Sequence, residues 1–205
     1  MSPTSTPPGS RDRGRPREFD TDVAVEAAAR VFWEQGYHAT SIDTLCEATG
    51  VFRGSLYRTF GDKHGLLVAA FDQYAEGAVA RLKERLAGDL PPRDTLREAL
   101  MYYTRIGARL SERRGCFITN AAIELLPGDE ALRPHIESTL LRIATQLSLA
   151  VARGQQSGDF DRNLDPEEVG RFLLCLVQGM RVLGKSSASE SELVSIVDIA
   201  MRALT

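Results

Sequence analysis

Residues 36–67 read GYHATSIDTLCEATGVFRGSLYRTFGDKHGLL, and this stretch decides the fold. Thr40 offers a side-chain cap and Asp43 follows three residues later, which is a capping-box-like start for a short helix. Gly50 breaks that helix, and a second short helix then runs to Phe60. Two short helices joined by a tight turn that contains glycine predict a helix-turn-helix over about residues 40–59.

A longer helix is predicted upstream of this stretch, beginning near Asp20. Val25, Ala28 and Phe32 recur there at three- and four-residue spacing, and Gly36 provides a C-terminal stop. The apolar side chains of the three helices should form a small core that holds the last helix at its angle. That predicted core comprises Phe32, Ile42, Leu45, Ala48, Val51, Leu56 and Phe60.

Every long segment beyond Asp62 has helical periodicity, and none alternates in the manner of a strand. The predicted helices cover about residues 62–86, 94–112, 116–126, 134–155, 166–183 and 190–204. Asp165 followed by Pro166 is a typical N-cap and first helical residue. The predicted fold class is therefore all-α, with about nine helices, three in an N-terminal head and the rest in a body.

The composition indicates an ordinary globular protein with a substantial core. Of the 205 residues, 43% are hydrophobic and 26% are charged. No apolar run approaches the ~20 residues of a membrane helix, and residues 1–20 lack the apolar core of an export signal, so we expect a cytoplasmic protein. Cys46, Cys116 and Cys175 lie far apart without a C-x-x-C pair, which argues against disulfides or a zinc site made of cysteines alone.

Positive charge is concentrated at the N-terminus, although the formal net charge is -3. Residues 1–18 are rich in Ser, Pro, Gly and Arg and predict a flexible basic arm. Within the arm, Arg13-Gly14-Arg15-Pro16 resembles the core of an AT-hook, whose arginines enter a narrow minor groove. Arg13 and Arg15 are therefore candidate DNA contacts, and a solvated tail that keeps the protein soluble is the alternative.

The stretch over residues 36–67, with its upstream helix, resembles the TetR family of transcriptional regulators. The motifs that carry the resemblance are G-Y-H-A-T-S-I-D-T-L, A-T-G-V and G-S-L-Y-R-T-F-G-D-K-H-G-L-L. A looser likeness continues through G-C-F-x-x-N at residues 115–120 and F-L-x-C-x-x-Q-G-M at residues 172–180, which resemble a subgroup whose N-terminus also reads R-G-R-P-x-x-F-D. The resemblance implies a homodimeric, ligand-responsive repressor that binds a palindromic operator in double-stranded DNA.

This interpretation divides the chain into a basic arm over 1–18, a DNA-binding domain over 19–65 and a regulatory and dimerisation domain over 66–205. Arg53, Ser55, Tyr57 and Arg58 project from the second short helix, where their side chains can meet base edges or phosphates in a major groove. The resemblance further implies phosphate contacts for Tyr57, Lys63 and Thr40. Phe52 replaces the Ser or Thr of many relatives and cannot accept a capping hydrogen bond, so operator preference is expected to differ.

In the body, the sequence predicts a ligand pocket and a dimer interface. Tyr102, Tyr103, Phe117 and Asn120 are candidate pocket residues, with core packing as the alternative for each. Cys116 either senses an electrophile or metal effector as a reactive thiol or merely packs, and the effector is otherwise an unidentified small molecule. A four-helix dimer interface is predicted from Phe172, Leu176 and Met180 on one helix and Leu193 and Val197 on the last.

Other functional classes lack the residues that they require. The acidic turn at residues 159–165 resembles a calcium loop, but Leu164 occupies the position that needs glycine and Gly170 the position that needs glutamate. His38, His64 and His135 lack metal-ligand spacing, and no hydrolase, kinase or dinucleotide motif is present. We therefore expect no enzyme activity, cofactor or bound metal. A constitutive architectural DNA binder, with the same head but no responsive body, is the nearest alternative.

Overall fold

The computed structural model describes residues 19–108, 114–186 and 188–205, so the predicted arm with Arg13 and Arg15 lies outside the described residues. Over these residues the chain forms nine α-helices and no strands, which confirms the predicted all-α class. The helices are α1 (Thr21–Gln35), α2 (Ile42–Thr49), α3 (Arg53–Phe60), α4 (Lys63–Leu86), α5 (Pro92–Ala108), α6 (Phe117–Leu125), α7 (Arg133–Ser157), α8 (Pro166–Lys185) and α9 (Glu190–Ala203).

Local capping explains most of the helix starts. Asp20 caps α1 by accepting from the amides of the second and third helical residues, and Asp62 caps α4 through the Gly65 amide. Asp165 caps α8 ahead of Pro166, as predicted. Such caps satisfy amides that have no partner within the helix, which stabilises the helix start by about 1 kcal/mol.

The predicted cap of α2 is wrong by one residue. Ser41, not Thr40, is the N-cap, and its Oγ accepts from the Thr44 amide at 3.0 Å. Thr40 instead belongs to the turn after α1, where its Oγ1 donates to the Gly36 carbonyl at 2.6 Å. This bond satisfies a carbonyl at the end of α1 and buries the Thr40 side chain, which leaves Ser41 as the extended residue that opens α2.

The head is held together largely by the predicted core. Phe32, Leu45, Val51 and Leu56 are buried, and Ile42 and Phe60 are partly buried. Ala48 was predicted to belong to this core, but the prediction is wrong because the residue is exposed. The short helix α2 buries only Leu45, so a residue in its last turn faces solvent.

The long helix α4 joins the head to the body, since it packs against α1 of the head and α7 of the body. Helices α7 and α8 make the most extensive helix pair of the body. Their approach is close at Gly170, where an added Cβ would lie 2.8 Å from the Ala144 carbonyl oxygen. Only glycine permits this approach, which draws α8 onto the central helices.

None of the described helices combines the length and apolar character needed to cross a membrane. Within the same ranges, no group of three or more His, Cys, Asp or Glu side chains is arranged to hold a metal ion.

Candidate functional site

The first part of the site is the exposed face of α3. Leu56 anchors the helix in the head with 1% of its surface exposed, while Arg53, Tyr57 and Arg58 are exposed and Ser55 is half-buried. At the N-terminus of the helix, Phe52 makes no side-chain cap bond and is 86% exposed. Three of the four predicted α3 residues are therefore exposed, as is the aromatic ring of Phe52.

Arg53 is held by an ion pair in the free protein. Its Nη2 lies 2.9 Å from Oδ1 of Asp43 on α2, and both side chains are more than half exposed. An exposed pair of this kind contributes only about 0–1 kcal/mol, so its loss costs little. The ion pair thus holds the Arg53 guanidinium at the start of α3, where it remains available to another acceptor.

Lys63 has a structural role that sequence reasoning missed. Its Nζ donates to the carbonyls of Tyr37 and Thr40, each at 2.9 Å, and lies 4.2 Å from the centre of the Tyr37 ring. These bonds close the turn between α1 and α2, and one ammonium proton remains for a further acceptor. A hydrogen bond to backbone carbonyls more than twenty residues away leaves no recognisable pattern in the sequence.

The position of Thr40 does not fit the phosphate contact predicted for it. Its side chain is 2% exposed, and its hydroxyl is already bonded to the Gly36 carbonyl. Ser41 carries the exposed hydroxyl at this corner of the head, next to the N-terminus of α2.

A carboxylate joins the head to the body. Glu124, near the end of α6, accepts from the Tyr37 amide at 3.0 Å and from the His38 amide at 2.8 Å. The backbone turns at Gly36 with φ of 81°, and an added Cβ would lie 2.9 Å from the Glu124 carboxylate. The backbone conformation favours glycine at Gly36, and a larger residue there would also displace the Glu124 carboxylate.

A second link runs from α4 to the segment after α6. Nε2 of His64 lies 2.6 Å from Oδ2 of Asp129. Burial acts to raise the pKa of Asp129, but hydrogen bonds from the Leu132 amide and the His64 ring outweigh it and hold the pKa below its ordinary value. The charged form of Asp129 is thus favoured at this junction.

A cavity of about 240 Å³ lies in the body and extends to the head. Its aromatic wall consists of Trp33 from α1, Tyr74 from α4, and Tyr102 and Tyr103 from α5. The cationic lining residues are Arg81 and Arg85 from α4 and Arg181 from α8. The other lining residues are Ala78, Ile106, Cys116, Ile118, Ile143, Val177 and Gln178. Because Trp33 belongs to the head, residues of both the head and the body line this cavity.

Of the residues predicted to line a ligand pocket, Tyr102, Tyr103 and Cys116 line this cavity, whereas Phe117 and Asn120 do not. Phe117 is 2% exposed and packs its ring on Phe71 and Tyr74 in the core. Asn120 donates to the Arg114 carbonyl at 2.8 Å and so ties the start of α6 to the preceding loop.

Sequence reasoning missed most of the polar lining, which comes from helices distant along the chain. Arg181 is 8% exposed and donates to the Gly115 carbonyl. Arg85 lies over the Tyr102 ring, 3.5 Å from its centre. Burial raises the pKa of Tyr103 to about 12, and burial with the Cys116 sulfur nearby raises the pKa of Tyr74. Both phenols are therefore neutral at ordinary pH.

The predicted dimer interface needs correction. Met180, Leu193 and Val197 are at most 1% exposed and belong to the core of the subunit. Phe172 is 46% exposed and Leu176 is partly buried, so only these two of the five reach the surface. Both faces of α8 are apolar, and the period of the helix does not tell which of them is turned inward.

An apolar surface is nevertheless present on the last two helices. We call it the α8–α9 surface, and it comprises Phe172, Cys175, Leu176, Val182, Leu183 and Ile199. Four of its members are between 43% and 59% exposed, namely Phe172, Val182, Leu183 and Ile199.

Two sequence families cover most of the chain. Residues 24–70 match the family described as bacterial regulatory proteins, tetR family. Residues 92–197 match the family described as tetracyclin repressor-like, C-terminal domain.

Curated relatives align over nearly the whole chain. The HTH-type transcriptional repressor ComR of Escherichia coli (strain K12) is 30% identical over 206 residues, covering 98% of this chain and 97% of the relative. The uncharacterised HTH-type transcriptional regulator YezE of Bacillus subtilis (strain 168) is 28% identical, covering 93% of this chain and 99% of the relative.

Among solved structures, a cysteine mutant of the TetR family transcriptional regulator CifR, complexed with 26-bp double-strand operator DNA, is 30% identical. It superposes with a TM-score of 0.82 over 94% of this chain and 100% of that one. These matches agree with the helix-turn-helix and the all-α body described above, and the chain belongs to the tetR family of bacterial regulatory proteins.

Proposed function

We propose that this chain is a homodimeric repressor that binds a palindromic operator in double-stranded DNA and releases it when an effector occupies the body cavity. The observation that carries the proposal is the continuity between cavity and head. Trp33 of α1 forms part of the cavity wall, and α6 begins at the cavity and carries Glu124, which is bonded to the turn between α1 and α2. The position of the head therefore depends on the contents of the cavity.

We assign a separate role to each of three successive segments of the chain. Residues 1–18 supply an arm whose Arg13 and Arg15 enter a minor groove, residues 19–65 bind the major groove, and residues 66–205 bind the effector and the second subunit. The repressor named ComR and the CifR complex with operator DNA support this assignment.

Within the head, α3 contacts the DNA. Arg53 leaves Asp43 to meet a base edge, and Ser55, Tyr57 and Arg58 meet bases or phosphates beside it. Lys63 offers its remaining proton to a phosphate while it holds the turn between α1 and α2. The ring of Phe52 stands at the same end of α3, where it can contact a thymine methyl group.

Release is a population shift between two positions of the heads. An effector that binds better when the recognition helices are misplaced lowers operator affinity by that difference in binding free energy. Helix α4 transmits the shift together with the Glu124 link, because it begins beside the DNA-binding helices and ends in the body. A constitutive architectural binder would show no such dependence.

Cys116 is a second route to release, because it lines the cavity and is only half-buried. We assign the chain to the subgroup that shares the G-C-F-x-x-N stretch, in which Cys116 is the cysteine. In this version, an electrophile, an oxidant or a soft metal ion modifies the thiol and displaces its neighbours.

The test is operator binding by purified full-length protein, measured by fluorescence anisotropy on a fragment selected from genomic DNA. The operator should be palindromic, with half-site centres roughly 34–36 Å apart or a multiple of that distance. Affinity should fall steeply with salt, with a slope of about -0.9 per neutralised phosphate on logarithmic axes.

Two variants, with one control, separate the roles within the head. Tyr57→Phe should weaken binding to operator and random DNA alike, whereas Arg53→Ala should also relax the preference at one operator position, by about 1–3 kcal/mol. Lys83→Ala, which removes an exposed cation of α4, is the matched control and should bind as the wild type does. Failure of the wild type to bind any selected fragment contradicts the proposal, and equal losses for Arg53→Ala on both kinds of DNA contradict base reading by Arg53.

A further inference from the structure

The charged side chains in the described lining of the cavity are all positive. Arg81, Arg85 and Arg181 contribute three guanidinium groups, and no Asp or Glu belongs to the described lining. Arg181 is the most deeply placed of the three, with 8% of its surface exposed. Its side chain donates to the carbonyl of Gly115, and no carboxylate among the described residues forms an ion pair with it.

A buried guanidinium without a counter-charge destabilises the fold, because burial removes its hydration. A hydrogen bond to one carbonyl replaces only part of that lost hydration free energy. Such a charge persists where something else compensates it. An anion in the cavity is one group that does so, and the cavity gives an anion direct access to Arg181.

The neutral polar groups of the lining are also donors. Nε1 of Trp33 is buried and has no hydrogen-bond partner among the described residues. Gln178 uses its Oε1 to accept from the Thr119 hydroxyl at 2.6 Å, which leaves its amide N–H₂ to donate. Tyr74 and Tyr103 keep their protons, since burial raises the pKa of each. A ligand that carries hydrogen-bond acceptors therefore fits this lining.

The shape of the wall adds a second requirement. Four aromatic rings surround the space, and Trp33 and Tyr74 meet edge to face with centroids 5.0 Å apart. Aromatic rings pack well against such walls in stacked or edge-to-face arrangements. A cavity of roughly 150 Å³ accommodates benzene, so the 240 Å³ found here has room for one ring with an acidic side group.

We propose that the effector is a monocyclic aromatic carboxylate, with its ring between the aromatic side chains and its carboxylate on Arg181 and Arg85. This rests on the proposed function, since it names the effector of the same cavity. Guanidinium groups bind carboxylates through paired hydrogen bonds that a neutral amide does not reproduce. A cationic ligand would meet three like charges and no acid of the described lining.

Trp33 makes the proposal directly measurable. It is the single tryptophan of the chain and lies in the cavity wall, so its fluorescence reports on occupancy without any DNA present. We would titrate purified full-length protein with benzoate, phenylacetate and hydrocinnamate, and in parallel with their neutral amides and with cyclohexanecarboxylate. Isothermal titration calorimetry on the same solutions provides a second measurement of binding.

The carboxylates should change the Trp33 emission saturably, and each should bind about ten- to a hundredfold more tightly than its amide. Arg85→Gln and Arg181→Lys should weaken the carboxylates by a similar factor and leave the amides unchanged. Lys83→Gln removes an exposed charge from the same helix as Arg85 and should match the wild type. Should Arg181→Lys fail to fold by circular dichroism, Arg85→Gln carries the comparison.

Two results would overturn the proposal: amides that bind as tightly as carboxylates, or no saturable signal from any carboxylate at millimolar concentration. Equal binding of cyclohexanecarboxylate and benzoate would overturn its aromatic part. Operator binding by the unliganded protein, measured separately by anisotropy, would still support the proposed function in those cases. Conversely, carboxylates that bind at Trp33 but leave operator affinity unchanged would uphold the ligand class and contradict release by the effector.

Discussion

Glu124→Gln tests the link between body and head with a minimal change of shape. The two carboxylate oxygens accept from the Tyr37 and His38 amides at 3.0 and 2.8 Å. A glutamine offers one oxygen and one N–H₂ group, so one of the two amides then faces another donor. The remaining bond also loses its charge assistance.

The expected cost follows from these two bonds. A hydrogen bond to a charged group contributes about 1.5–3 kcal/mol, and partial solvent access at the half-buried Glu124 offsets some of the loss. We therefore expect the free energy of unfolding to fall by about 2 kcal/mol. In a chain of this length, that corresponds to a melting temperature roughly 4–8 °C lower.

Thermal melts followed by circular dichroism, at matched protein concentration, measure the global effect. Hydrogen exchange locates it, because the Tyr37 and His38 amides should exchange faster while the Leu45 amide, within α2, should not. Glu137→Gln on the exposed face of α7 is the control. If Glu124→Gln melts like this control and leaves exchange at Tyr37 and His38 unchanged, the inferred link between α6 and the head is wrong.

Three further predictions concern the dimer, the acid response and the thiol. Val182→Glu should yield monomers in analytical ultracentrifugation, because we expect the subunits to pair through the apolar α8–α9 surface and this change places a charge on it, whereas Ile123→Glu on α6 should remain dimeric. Asp129 has a lowered pKa in the folded protein, so it stabilises the fold above its ordinary value of 3.8 and loses this effect as the pH falls through the folded pKa. The stability gap between wild type and Asp129→Asn in urea melts should therefore narrow on acidification. If Cys116 senses, then Cys116→Ser should resist release from the operator by electrophiles, peroxide or copper(I).

Each of these predictions has a result that contradicts it. Dimers of Val182→Glu would exclude this part of α8 from the interface. A stability gap for Asp129→Asn that widens in acid would contradict the direction of the pKa shift. Identical release curves for wild type and Cys116→Ser would make Cys116 a packing residue and leave a reversible ligand as the effector.

The sequence alone determined the helices and the family, because the signals for both are local. Asp20, Asp62 and Asp165 mark helix starts through bonds to amides two or three residues away, and Gly50 ends α2 in the left-handed conformation. The spacing of Leu45, Val51 and Leu56 likewise predicts a core within a short stretch of chain. Interactions between residues close in the sequence depend on the local order of residue types, so the sequence alone predicts them.

Tertiary packing decided which faces are buried and what the cavity contains. Met180 and Val182 both belong to an apolar helix, and only the packing of α7 and α8 turns Met180 inward and leaves Val182 exposed. Trp33 and Arg181 meet in one cavity although they lie at opposite ends of the chain. Glu124 acts through backbone amides, which every residue carries and no sequence pattern marks. Contacts of this kind depend on how separate helices pack against one another, so they arise only once the chain is folded.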